Sequence, residues 1–144
     1  MNYLEFKQAA KKHYYTSLCL YEKCNNSWQI QENIFYLCGY VIEMMLKYQI
    51  FASINYDRDK DVTKIDDYGI TSDDITSGRK GHNIYLLSQI LKKFRGDSII
   101  DDIIKKFRKW DISLRYNGKR NNYTNNDIEE LLKLSEKLIE KFGG

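Results

Sequence analysis

The chain has 144 residues, three cysteines, two histidines, no proline and a net charge of +3. That length supports one domain with its own core, and the missing proline favours long helices joined by polar loops. Cys19, Cys24 and Cys38 show no CxxC spacing and have only His13 and His82 beside them, which speaks against a zinc site and for reduced thiols in an intracellular protein.

The first helix is predicted over about residues 3–24, with Tyr3, Phe6, Ala10, Tyr14, Leu18 and Tyr21 three or four apart. The second is predicted over about 28–54, with Ser27 as its N-cap. Its middle is apolar around most of its circumference, so it reads as the central helix of a bundle. A polar connection, roughly 55–81, follows; it is longer than compact bundles normally tolerate, which predicts a segment that is mobile or functional. Asp57-Arg58-Asp59-Lys60-Asp61 begins like a calcium loop, but Val62 replaces the required glycine and Tyr68 the closing glutamate, so calcium is not expected.

Helix three is predicted over about 82–94 on Ile84, Leu87, Leu91 and Phe94, and Gly96-Asp97 breaks it. Helix four follows over about 98–110 on Ile100, Ile103, Ile104, Phe107 and Trp110. The last helix starts near Thr124, carries Ile128, Leu131, Leu132, Ser135, Leu138, Ile139 and Phe142, and stops at Gly143-Gly144. No strand-like alternation is sustained. The expected fold is an all-α antiparallel bundle of about five helices in a single domain, residues 1–144. Neither a secretory leader nor a run of about 18 apolar residues is visible, so a cytoplasmic protein without a membrane span is expected.

Charge is unevenly distributed. Residues 79–120 hold twelve Lys/Arg against four Asp, a local +8, whereas 55–77 hold three against seven, a local −4. A basic third of the chain fits a polyanion; Lys92, Lys93, Lys105, Lys106 and Lys109 also fit the wet faces of ordinary helices.

Glu43 is the residue of most chemical interest, a carboxylate inside an apolar helix. A buried carboxylate needs a partner or takes up a proton. Lys47, one turn on, would be a routine surface partner, and a more distant arginine would build a buried site. Ser77-Gly78-Arg79-Lys80-Gly81-His82 is a Gly-rich basic entry to helix three that suits an anion. His82 has a second reading, as a helix-start residue capping backbone groups or packing on Trp110. His13, on the first helix beside Tyr14, reads as a packing residue. The stretch from Arg115 through Tyr116, Lys119 and Arg120 to Tyr123 interleaves cations, aromatics and amides, the mixture that grips single-stranded RNA.

Three elements occur in register with the helices: Gly39-Tyr40-x-x-Glu43-x-x-Leu46-Lys47, Gly81-His82-x-Ile84-x-x-Leu87 and Trp110-x-x-x-Leu114-Arg115-Tyr116. In this combination and order the chain resembles the HEPN family of small prokaryotic helical domains, over nearly its whole length. The resemblance implies a homodimer with polar sites at or near the subunit interface. Many such domains are metal-independent endoribonucleases of toxin–antitoxin or other defence systems. Others bind nucleotides or partner nucleotidyltransferases.

The nuclease signature is an arginine separated by four to six residues from a histidine. Arg115 matches the arginine, while Arg120, Asn121 and Asn122 stand where the histidine falls. Metal-free cleavage needs a base of near-neutral pKa for the 2′-hydroxyl and cations for the phosphorane. The resemblance supplies Arg115 as the phosphate grip; on the residues themselves Glu43 would orient it, and His82 is the only candidate proton-transfer group. Arg79, Lys80, Tyr116, Lys119 and Arg120 are the RNA or phosphate contacts, and neither metal nor cofactor is called for. A Glu43–Arg115 pair also reads as a mere tie between helices two and four. The competing function is a non-catalytic interaction or nucleotide-binding module partnering a separate enzyme.

Overall fold

The computed structural model describes residues 1–23, 27–76, 83–107 and 124–143. Among them lie six helices: α1 (Leu4–Glu22), α2 (Trp28–Ser53), α3 (Ser72–Thr76), α4 (Ile84–Lys92), α5 (Ser98–Phe107) and α6 (Asn125–Phe142). The all-α bundle expected from periodicity is what forms.

Helix α2 is the hub, packed on α1, α4 and α6. The pairing of side chains fixes the directions. Tyr3 stacks on Tyr48 and Phe51, Phe6 on Phe51, and His13 on Tyr40, so α1 runs antiparallel to α2. Tyr21 Oη donates to Glu129 Oε1 at 2.6 Å, and Gln31 Nε2 donates to Asn125 Oδ1 at 2.6 Å, which ties the start of α6 to the end of α1 and the start of α2. Helix α5 runs back along α6: Lys106 pairs with Glu130 at one end, and Asp97, at the entry to α5, pairs with Lys141 at the other. Ile34, Val41, Ile42, Met45, Leu46, Ile50 and Phe51 of α2 are fully buried among Leu87, Leu91, Ile100 and Leu138. By length and composition α2 would also pass for a membrane-crossing helix, which corrects the expectation that no segment comes near one. Two-thirds (67%) of its most apolar window is buried inside the protein, as suits a core helix.

Helix ends follow side-chain chemistry. Thr124 and Asp127 form a capping box: the hydroxyl accepts from Asp127 N, and the carboxylate accepts from Thr124 N at 2.9 Å. Asn83 caps α4 by accepting from Leu86 N, so that helix begins at Ile84; His82 lies outside the described residues. Ser27 stands at the N-cap of α2 with extended backbone, but its hydroxyl makes no capping bond.

The connection after α2 differs most from expectation. As far as Thr76 it is a packed substructure that buries Tyr56, Val62, Ile65, Ile70 and Ile75. A 3-10 turn (Val62–Lys64) is capped by Asp61, and a short hairpin pairs β1 (Asp66–Asp67) with β2 (Ile70–Thr71). Its turn residues, Tyr68 and Gly69, both have positive φ (54° and 76°), as a type I′ turn requires. Tyr68 meets Phe94 edge-on at 5.6 Å. Asp61, in the calcium-like run, spends its carboxylate on the Met1 amine and on Thr63, and those hydrogen bonds hold its pKa well below the usual carboxylate range.

Candidate functional site

Five polar side chains of α2 share a face. Glu32, Tyr36, Tyr40, Glu43 and Lys47 follow one another at three- or four-residue intervals, which aligns them on a helix of 3.6 residues per turn. At the inner end of this face the Glu43 side chain is fully buried (0% exposed) and that of Lys47 nearly so (5%). Lys47 Nζ donates to Glu43 Oε1 at 3.0 Å and stands 5.7 Å from the centre of the Phe6 ring. Of the two readings offered by sequence, Lys47 is a partner of Glu43, but not as a surface pair: α1 lays Phe6 against it and the pair lies inside, while Arg115 lies outside the described residues. Removing such ions from water costs several kcal/mol each, which their mutual attraction only partly offsets.

At the outer end the face becomes aromatic. The Tyr36 and Tyr40 hydroxyls are hydrogen-bonded at 3.0 Å, and their rings meet edge to face with centroids 4.9 Å apart. His13 of α1 stacks on Tyr40 at 5.8 Å with an interplanar angle of 28°. All three rings are half-buried. Burial, and then the nearby Lys12 cation, push the His13 imidazole below its ordinary pKa, so it is neutral at pH 7. Sequence reasoning treated His13 as packing and did not single out Tyr36. A signal was present: Tyr36 and Tyr40 precede Glu43 and Lys47 by seven residues each, two helical turns on the same face.

Of the site residues designated from sequence, Glu43 is the one the structure describes. Arg115, His82, Arg79, Lys80, Tyr116, Lys119 and Arg120 lie outside the described residues. Part of the basic stretch is used structurally, since Lys92 pairs with Asp101 and Lys106 with Glu130. Lys93 and Lys105 are exposed and form no ion pair among the described residues. A surface groove of about 790 Å³ lies between α3, α4 and α5, with Leu86, Ile90 and Ile104 as its apolar lining and Lys92 and Lys93 on its lip.

Beneath the aromatic end, Cys38 is buried. Desolvation raises its thiol to about 11 although the Ser135 and Ser17 hydroxyls pull it down, so it is an inert core group. Among the described residues no group of three or more His, Cys, Asp or Glu side chains converges to hold a metal ion. Comparison with protein-family models, curated proteins and solved structures returned no match.

Proposed function

We propose that the chain is a HEPN-like homodimeric domain acting on RNA or nucleotides, with metal-independent RNA cleavage in a bacterial defence or toxin–antitoxin system as its leading activity. The observation that carries this reading is the buried Glu43–Lys47 pair in the central helix. Well-packed apolar side chains of similar volume would serve stability as well or better, so two charges kept in a core point to a functional demand. Both belong to the Gly39-Tyr40-x-x-Glu43-x-x-Leu46-Lys47 element of the resemblance. In the proposed site Arg115 grips the scissile phosphate, Glu43 fixes the cationic side chains around it and His82 accepts the 2′-hydroxyl proton. Arg79, Lys80, Tyr116, Lys119 and Arg120 hold the strand.

A second reading, a non-catalytic interaction or nucleotide-binding module, is favoured by one observation: Arg120, Asn121 and Asn122 occupy the place of the motif histidine. The groove beside Leu86, whose side chain is partly exposed, would suit a protein partner in that case. Incubating single-stranded RNA with the protein in EDTA tests the nuclease. Wild type is expected to cut, and Arg115→Ala to stop cutting while remaining a helical dimer. RNA left intact by wild type, but retained on the protein, would move the conclusion to the binding module.

A further inference from the structure

Helix α4 is apolar on two sides. Ile84, Leu87 and Leu91 are buried in the core, while Leu86 and Ile90, one turn apart, lie on the opposite side of the helix and line the groove between α3, α4 and α5. Ile104 of α5 completes its apolar floor, and Leu86 is 36% exposed. The margins of the groove are basic. Lys93, on its lip, is exposed and forms no ion pair among the described residues. Lys105 is likewise exposed and without an ion pair there. It follows Ile104 and stands one turn on from Asp101, which pairs across to Lys92 at 2.9 Å, so it lies on the edge of α5 that faces α4. The acids beside the groove are already committed: Asp101 to Lys92, and Asp74 to Thr71, from whose N it accepts at 2.9 Å. The charge left for a partner is positive.

A complementary ligand has an apolar stripe with carboxylates along its edges. RNA lacks the stripe, and no aromatic side chain among the lining residues offers its bases a stacking surface. A second copy of the chain fits no better. Its described helix richest in carboxylates, α6, has its apolar stripe buried in its own core, and two such grooves face to face would set lysines against lysines. We propose that the groove receives an amphipathic helix of a partner protein, apolar at i, i+3 or i+4 and i+7, and acidic on its flanks. Its apolar residues rest on Leu86, Ile90 and Ile104, and its carboxylates meet Lys93 and Lys105. The proposal goes beyond the RNA reading and does not depend on it.

The test is fluorescence anisotropy of the full chain with three fluorescein-labelled peptides of about 16 residues, long enough to form a helix. One is an alanine-based helix with a leucine stripe at the spacing above and glutamates on both flanks. The second replaces every glutamate by lysine, and the third scrambles the first. Wild type is expected to bind the acidic helix at least about tenfold more tightly than either control. Leu86→Glu, at a position already partly exposed, should weaken that binding by about tenfold or more, the scale of one buried leucine. Lys93→Glu and Lys105→Glu should each weaken it by roughly two- to fivefold, as charges at a rim do, and together they should turn the preference toward the lysine peptide. Lys11→Glu makes the same charge change at an exposed lysine of α1, outside the groove, and should leave affinity within about twofold. Far-UV circular dichroism confirms that each variant is folded. No binding by wild type at about 1 mM peptide, or equal affinity for the acidic and lysine helices, overturns the proposal. So does acidic-helix binding that survives both Leu86→Glu and the lysine double variant. Single-stranded RNA that displaces the peptide and is itself lost with Leu86→Glu would make the groove an RNA surface. A dimer in sedimentation that both Leu86→Glu and the peptide dissociate would make it a contact between copies, and either result overturns the proposal.

Discussion

Replacing Lys47 by Met tests whether the charged pair in α2 is buried as described. The substitution keeps the length of the side chain and removes the ammonium that donates to the Glu43 carboxylate, whose side chain has no exposure. Removing one member of a buried pair typically costs about 3–5 kcal/mol. With a urea m-value near 2 kcal/mol per molar, the unfolding midpoint should fall by roughly 1.5–2.5 M. A domain with about 5–15 kcal/mol in total would lose a large share of its stability. Adding Glu43→Gln to Lys47→Met removes the buried negative charge as well, so the double variant should recover part of the loss. The coupling in the double-mutant cycle should exceed about 1.5 kcal/mol, within the range for residues in contact. Urea titration of the four proteins, followed by far-UV circular dichroism, measures it. A Lys47→Met cost below about 1 kcal/mol, with Glu43→Gln adding independently, would match an exposed pair and refute the burial argument.

Other expectations follow from single groups. Thr124→Ala removes half of the capping box on α6 and should cost about 1 kcal/mol in the same urea assay, with Thr124→Ser close to wild type. Asp97 accepts hydrogen bonds from Lys141 and from Ile99 N, and its carboxyl is held below the ordinary value, chiefly by Lys141. A carboxylate with a depressed folded pKa stabilises above its unfolded value, near 4, and loses that contribution as pH falls through the folded pKa. Asp97→Asn should therefore flatten the acid limb of the stability–pH profile and leave its shape unchanged above about pH 5. Cys38, buried and raised to about 11, should resist iodoacetamide at pH 8 in the native protein and react after unfolding, as read by peptide mass spectrometry.

Helix positions were legible because burial along α1, α2, α4, α5 and α6 recurs at three and four residues, and caps such as Thr124 stand where the apolar pattern starts. The packing of residues 55–76 was not legible. Tyr56, Val62, Ile65, Ile70 and Ile75 are irregularly spaced in polar surroundings, so no period marks them as core. Tyr68 hid the hairpin turn, since a bulky residue is not the usual signal for positive φ. At the candidate site, Glu43 stood out as a charge inside an apolar helix. The burial of Lys47 did not, because it depends on Phe6 from another helix, and lysine one turn from glutamate is common on surfaces. The His13–Tyr40 stack likewise depends on the register between α1 and α2, which periodicity within each helix leaves undetermined.

The proposal that the chain acts on RNA is met most directly by mixing wild type and Arg115→Ala with labelled single-stranded RNA in EDTA, then resolving bound and cleaved species on native and denaturing gels. The account predicts cleavage by wild type and its loss in Arg115→Ala, with helicity retained. RNA that emerges neither bound nor cut by wild type would contradict it.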